Sequence, residues 1–111
     1  MRTLFIDPGM LSHELVLEEP METPDGAGGF TIVWSALATV WARLEPLNPE
    51  TEIWAGRDPS EQTHRVTLRH RTDVRQGMRF RKSARLFPIL AVQDADETGR
   101  YLICRTKEET E

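Results

Sequence analysis

Asp94-Ala95-Asp96-Glu97-Thr98-Gly99 opens like a calcium-binding loop, with carboxylates at positions one and three and glycine at six. Such a loop also needs a bidentate carboxylate at position twelve, where this chain has Arg105. The hexapeptide therefore reads as a hairpin turn between strands. His64 and His70 would share one face of a strand yet stand about 20 Å apart, and His13 is remote from both in sequence. Cys104 is the single cysteine, so no local zinc-ligand set can be assembled. Ser12, Ser35, Ser60 and Ser83 sit in no nucleophile-elbow motif. Cys104 falls within a strand pattern, where a buried, unreactive thiol is the usual outcome. Gly26, Gly28 and Gly29 lack the spacing and the following helix of a phosphate loop. These residues form no catalytic set, and a non-enzyme without cofactor is expected.

Binding chemistry remains. Trp34 and Trp41 lie in GGFTIVWSALATVWARLEP, Gly28 to Pro46. On a strand over Thr39–Glu45, Val40, Ala42 and Leu44 share one face, and Trp41 takes the other beside Arg43. A tryptophan turned outward among polar neighbours is a common interface anchor. In His64–Arg71, HRVTLRHR, Val66 and Leu68 alternate with Arg65, Thr67, Arg69 and Arg71, the period of a strand. Trp34, Trp41, Arg43, Arg65, Arg69 and Arg71 are therefore the candidate interface residues.

The charge distribution supports a binding role. Net charge is −4 over 111 residues, but residues 1–56 carry −7, residues 57–85 carry +6 and residues 86–111 carry −3. A solvated face, pairing between the basic part of one subunit and the acidic part of the next, and nucleic-acid contact all fit such a pattern. The length is that of one domain. An apolar fraction of 39% with 29% charged residues implies a thin core and much solvated or partner-facing surface. One cysteine excludes an internal disulfide and fits a reducing compartment. No apolar run is long enough to span a membrane. Asp7, Pro8 and Gly9 interrupt any signal-peptide apolar region, so a cytoplasmic site of synthesis is expected.

Five to seven short strands are expected. Residues 1–12 read as an arm and His13–Glu19 as the first strand. Pro20–Gly29 is a loop of ten residues. Phe30–Trp34 and Thr39–Glu45 are two strands or one long bent strand, with a helix over Ala36–Leu44 as the rival. Pro49 can open a short helix near 49–56 that Gly56 stops. Further strands follow at Thr63–Arg71, Met78–Lys82, Leu86–Gln93 and Arg100–Thr106, and residues 107–111 form a charged tail. Pro88 marks an edge or a bulge. The pattern is mainly β, a small antiparallel barrel or sandwich. Its core should draw on Leu15, Leu17, Ile32, Val40, Leu44, Val66, Leu68, Phe80, Ile89 and Leu102.

The ordered motifs carry a resemblance. A glycine-opened strand holds Trp34, Trp41 and Ala42, and Glu50 and Glu52 follow. Then come Thr63–Arg71, Asp73-Val74, Gly77-Met78-Arg79-Phe80 and the closing stretch Phe87–Cys104. Together, over about residues 10–108, they resemble the head–tail joining family of tailed phages, prophages and gene transfer agents. Its members act as head-closure, stopper or adaptor proteins. The resemblance implies a β-barrel subunit of a ring, hexamer or dodecamer, at the head–tail junction of a particle assembled in the host cytoplasm. The ring lies below portal and adaptor and meets the tail or its terminator on the other side. Double-stranded DNA would pass through its lumen without sequence-specific binding. A loop from each subunit would narrow that channel. Leu47–Gln62 is the preferred loop, with Glu50, Glu52, Trp54, Asp58 and Glu61, and Pro20–Gly29 is the second. Trp54 and two prolines set this loop apart from some members. The alternative function is a single-stranded nucleic-acid-binding barrel of oligonucleotide-binding type. It is weakened because Phe80, the one aromatic on the basic strands, alternates away from Arg79 and Arg81.

Overall fold

The computed structural model describes residues 7–47 and 62–110. The sequence expectations for a helix near 49–56, and for Glu50, Glu52, Trp54, Asp58 and Glu61, lie outside the described residues. The described residues form seven strands: β1 (His13–Pro24), β2 (Phe30–Pro46), β3 (His64–Arg69), β4 (Arg79–Lys82), β5 (Arg85–Asp94), β6 (Tyr101–Thr106) and β7 (Glu109–Thr110). The sheet runs β4-β1-β2-β3-β6-β5-β7, and β4 also pairs with β5. That last pairing closes β1-β2-β3-β6-β5-β4 into an antiparallel barrel, as the period-two patterning predicts.

Alternation places the core. Leu15, Leu17, Val40, Ala42, Val66, Leu68, Phe80, Phe87, Ile89, Leu102 and Cys104 point inward, and Val74 and Met78 plug the interior from the β3–β4 connection. Leu44 packs against this cluster. Ile32, expected in the core, is instead 60% exposed. The reason is a register shift. Leu17 pairs with Ala38 but Glu18 pairs with Ala36, so Leu37 is an extra residue in β2. One extra residue reverses which face each side chain takes. Ile32 thus shares the outer face with its partner Glu22 rather than the inner face with Val40.

The ten-residue loop expected at Pro20–Gly29 is shorter. β1 continues to Pro24, and β2 is one strand of 17 residues, with no helix in it. Past Glu18, the last β1 residue paired with β4, β1 is an edge strand that tolerates Pro20 and Pro24. The turn is tied by Asp25, whose carboxylate accepts from the N–H groups of Ala27 and Gly29 at 2.8 and 3.1 Å. The Ala27 bond first, then the Gly29 bond, hold that carboxyl below the usual carboxylate range. Gly26 and Gly28 take φ of +83° and +87°, which only glycine adopts at ease. The β1–β2 hairpin therefore extends beyond the barrel as a ribbon, and the molecule is 52 Å long but under 30 Å across.

At Pro88 the expected irregularity is a bulge. The β5–β6 register shifts between Ile89 and Ala91. The chain end, read as a charged tail, adds β7 beside Arg85–Leu86. It is held there by a forked Arg85–Glu108 pair at 2.6 and 3.2 Å and by the Glu108 N–H donating to Thr63 Oγ1 at 2.6 Å.

Val66 and Cys104 pair across β3 and β6, both fully buried. Val66→Asp leaves an unpaired carboxylate there, a cost of several kcal/mol against a total stability of about 5–15. It should yield an unfolded chain by circular dichroism. Burial pushes the Cys104 thiol up to about 12, so in the native protein it should resist thiol reagents and react only on unfolding. Rapid native labelling would contradict the packing described.

His64 stacks edge-on against Phe87 at 5.2 Å, with Glu108 at 3.8 Å. Burial, the largest influence, pushes its pKa below the ordinary 6.5; the Glu108 charge opposes this and Arg85 adds to it. Protons therefore bind the unfolded chain more readily than the native one, and stability falls as pH drops below about 6.5. Urea melts between pH 7.5 and 5 should show this loss, and His64→Gln should remove it. The separate loss from Glu108 and Asp73, whose pKa values are lowered chiefly by Arg85 and Arg71, belongs below about pH 4.5.

Candidate subunit interface

Three surface arrangements stand out. The first is a stripe along the outer face of the ribbon. Trp41 is 56% exposed, Phe30 64% and Ile32 60%, and Leu37 at the bulge is also exposed. Pro24 and Glu22 face Phe30 and Ile32 across the ribbon. From Phe30 to Trp41 the stripe is about 36 Å long. Residues 13–42 carry Glu14, Glu18, Glu19, Glu22 and Asp25 and no Lys or Arg. The ribbon is thus apolar and acidic together.

The second is a notch where β2 leaves β3. The two strands pair from Ala42–Leu68 to Pro46–His64, and among the described residues nothing pairs with β2 on that side from Trp41 back to Phe30. A pocket of about 280 Å³ opens at the fork, lined by Thr39, Val40, Trp41, Leu68, Arg69, His70 and Arg71. Its walls are apolar and its rim is basic. Arg69 lies over the Tyr101 ring at 6.0 Å. Arg71 forms a fork with Asp73 at 2.8 and 2.9 Å, which raises its own pKa.

The third is a charged cluster at the root of the ribbon. Glu18, 8% exposed, accepts from Arg79 Nε at 2.7 Å and Arg81 Nε at 3.2 Å. Arg79 lies 4.0 Å over the Trp34 ring. Cross-strand pairing of Glu18 with Arg79 on β4 and with Ala36 on β2 puts all of them on the outer face. A planar guanidinium stacked on indole and hydrogen-bonded to carboxylate is strongly oriented. This cluster stiffens the ribbon where it departs from the barrel.

The six residues named from sequence separate into these places. Trp41, Arg69 and Arg71 come together at the notch, and Trp41 faces outward as alternation required. Arg43 and Arg65 instead flank Glu45, at 3.2 and 3.9 Å, on the outer face of the barrel wall. Trp34 belongs to the Arg79 cluster. Sequence reasoning missed Glu18, Arg79 and Arg81 as a unit, because nothing local signals that β4 pairs with β1. It also missed the exposed pair Phe30 and Ile32, because their orientation follows from the bulge. Among the described residues no three His, Cys, Asp or Glu side chains gather as a metal site.

The phage head completion protein family model matches residues 6–109. Among solved structures, a chain of the virion of a native gene transfer agent particle is 30% identical, with a TM-score of 0.66. That match covers 90% of this chain and 96% of the other. Protein SF1141 from Shigella flexneri 2a, solved in solution, shares the fold at 22% identity and a TM-score of 0.66, over 91% of this chain and 96% of that one. No curated protein matches. The closed six-strand barrel, the ribbon and the family match over nearly the whole length agree, and the chain belongs to the phage head completion protein family.

Proposed function

We propose that this protein is a head-closure subunit of the connector of a tailed phage-like particle, a ring member that extends the DNA channel below the portal and docks the tail. The observation that carries the reading is the likeness to a chain of the gene transfer agent virion, at 30% identity over 96% of that chain, joined to the family match. Function here is structural, and no enzymatic step enters it.

The physical features fit a ring. A ring of identical subunits needs two different patches on each, so that one meets the other around the circle. The acidic ribbon and the basic notch are two such patches on one chain. The end of β2 and the start of β3 lie together at the end of the barrel opposite the ribbon tip. The Leu47 N–H donates to the Thr63 carbonyl at 2.9 Å there, and Gln62 is buried. In this reading the segment between those two feet, Leu47 and Gln62, is the channel loop. Glu50, Glu52, Asp58 and Glu61 on it would repel DNA phosphate and keep the channel from binding its cargo. Phe80, the one aromatic on the basic strands β3 and β4, is fully buried and offers no stacking face to the nucleic-acid-binding alternative.

The test is made in particles. Without this chain, filled heads should accumulate without tails and lose DNA. Tailed, infectious or DNA-transferring particles formed in its absence would end the reading. Replacing residues 48–61 by a short Gly-Ser link should leave the barrel folded, because Leu47 and Thr63 already touch and loop length costs little. Rings should still form, but DNA retention in tailless heads should drop. Heads that keep their DNA after this change would place closure elsewhere.

A further inference from the structure

The ribbon tip and the notch are complementary, and they cannot meet within one chain. Phe30 and Trp41 lie on the same continuous strand, about 36 Å apart. The tip presents Phe30 and Ile32 with Glu22 beside them on one face. The notch offers a pocket walled by Trp41, Val40 and Leu68, with Arg69 and His70 exposed at its rim. An apolar knob with an adjoining carboxylate matches an apolar hole with an adjoining guanidinium.

We propose that the ribbon tip of one subunit seats Phe30 and Ile32 in the notch of the next copy, with Glu22 meeting Arg69. This rests on the connector reading and names the contact that builds the ring. A second copy is the chosen occupant because its ribbon brings the acidic charge the basic rim lacks. Residues 13–42 are entirely acidic among their charges, whereas residues 57–85 carry +6. The contact is heterologous, so each subunit uses its ribbon on one neighbour and its notch on the other, the arrangement a ring of identical subunits requires. The β2 edge from Phe30 to Trp41, with no strand paired to it among the described residues, gives the incoming ribbon backbone groups to bond as well. Charge pairing at the rim sets the register and the apolar knob resists dissociation.

The experiment uses the full chain carried in particles. Ile32→Cys and His70→Cys placed in one chain should give, on mild oxidation, a reducible ladder of chain multimers, which neither change alone gives. Cys104 is buried and does not compete. Arg69→Glu should abolish the ladder, and adding Glu22→Arg should restore it; both residues are exposed, so the fold is unaffected. Cys104 protection in each variant checks that. A chain present in particles that gives no ladder, or that links through position 32 to a different virion protein, overturns the proposal and leaves the connector reading standing. A chain absent from particles defeats the connector reading instead. The same oxidation of the purified double variant at high concentration then decides the ribbon contact, a ladder upholding it and its absence overturning it.

Discussion

Closure of the barrel rests on four residues. β4 is the only described element that bonds to both β1 and β5, and without it the sheet would remain open with two unpaired edges. Its centre is Phe80, which pairs with Leu17 on one side and Phe87 on the other, all three fully buried. The outward neighbours of Phe80 are Arg79 and Arg81, which clamp Glu18. One short strand thus supplies an aromatic to the core and a pair of cations to the surface. The surface pair fixes the root of the ribbon, so the direction in which the ribbon points depends on the same strand that seals the interior.

The thin core has a consequence for what the outside must do. Apolar residues that a larger domain would bury are carried on the ribbon instead, where Phe30, Ile32 and Leu37 meet solvent. Scattered exposed apolar residues need no explanation, but Phe30 and Ile32 side by side at the ribbon tip form a patch suited to an interaction. Acidic residues, Glu22 among them, lie beside these apolar groups on the ribbon.

Much of the barrel was legible because its strands alternate cleanly. HRVTLR and the arginines flanking Phe80 state which face is inside with no help from tertiary structure. Nine of the ten residues expected in the core are in it or packed against it. Ile32 failed for a physical reason: the extra residue Leu37 reverses the parity of β2, and no composition cue marks a bulge built from Ala36, Leu37 and Ala38. Pro20 and Pro24 read as loop because proline is excluded from paired strands, yet an edge strand accepts it. Of the candidate interface, Trp41 and Arg69 were identifiable from alternation, whereas the Glu18 cluster joins residues 61 and 63 positions apart and could not be.

The register of the sheet also orders events in time. The β1–β2 ribbon closes from its own turn, with partners such as Pro24 and Phe30 adjacent in sequence, and hairpins of this kind form in about microseconds. Sealing the barrel must bring Phe80 to Leu17 across most of the chain, and pairings of such separation are the slow ones. By contact separation alone, the ribbon can pair before the interior is sealed. In a crowded host making many copies, a sticky hairpin that precedes its barrel is an invitation to premature pairing. The notch is lined from both β2 and residues 68–71, so it forms only when β3 docks beside β2. If the ribbon of one copy meets the notch of the next as proposed, unfinished chains can offer a ribbon but cannot accept one.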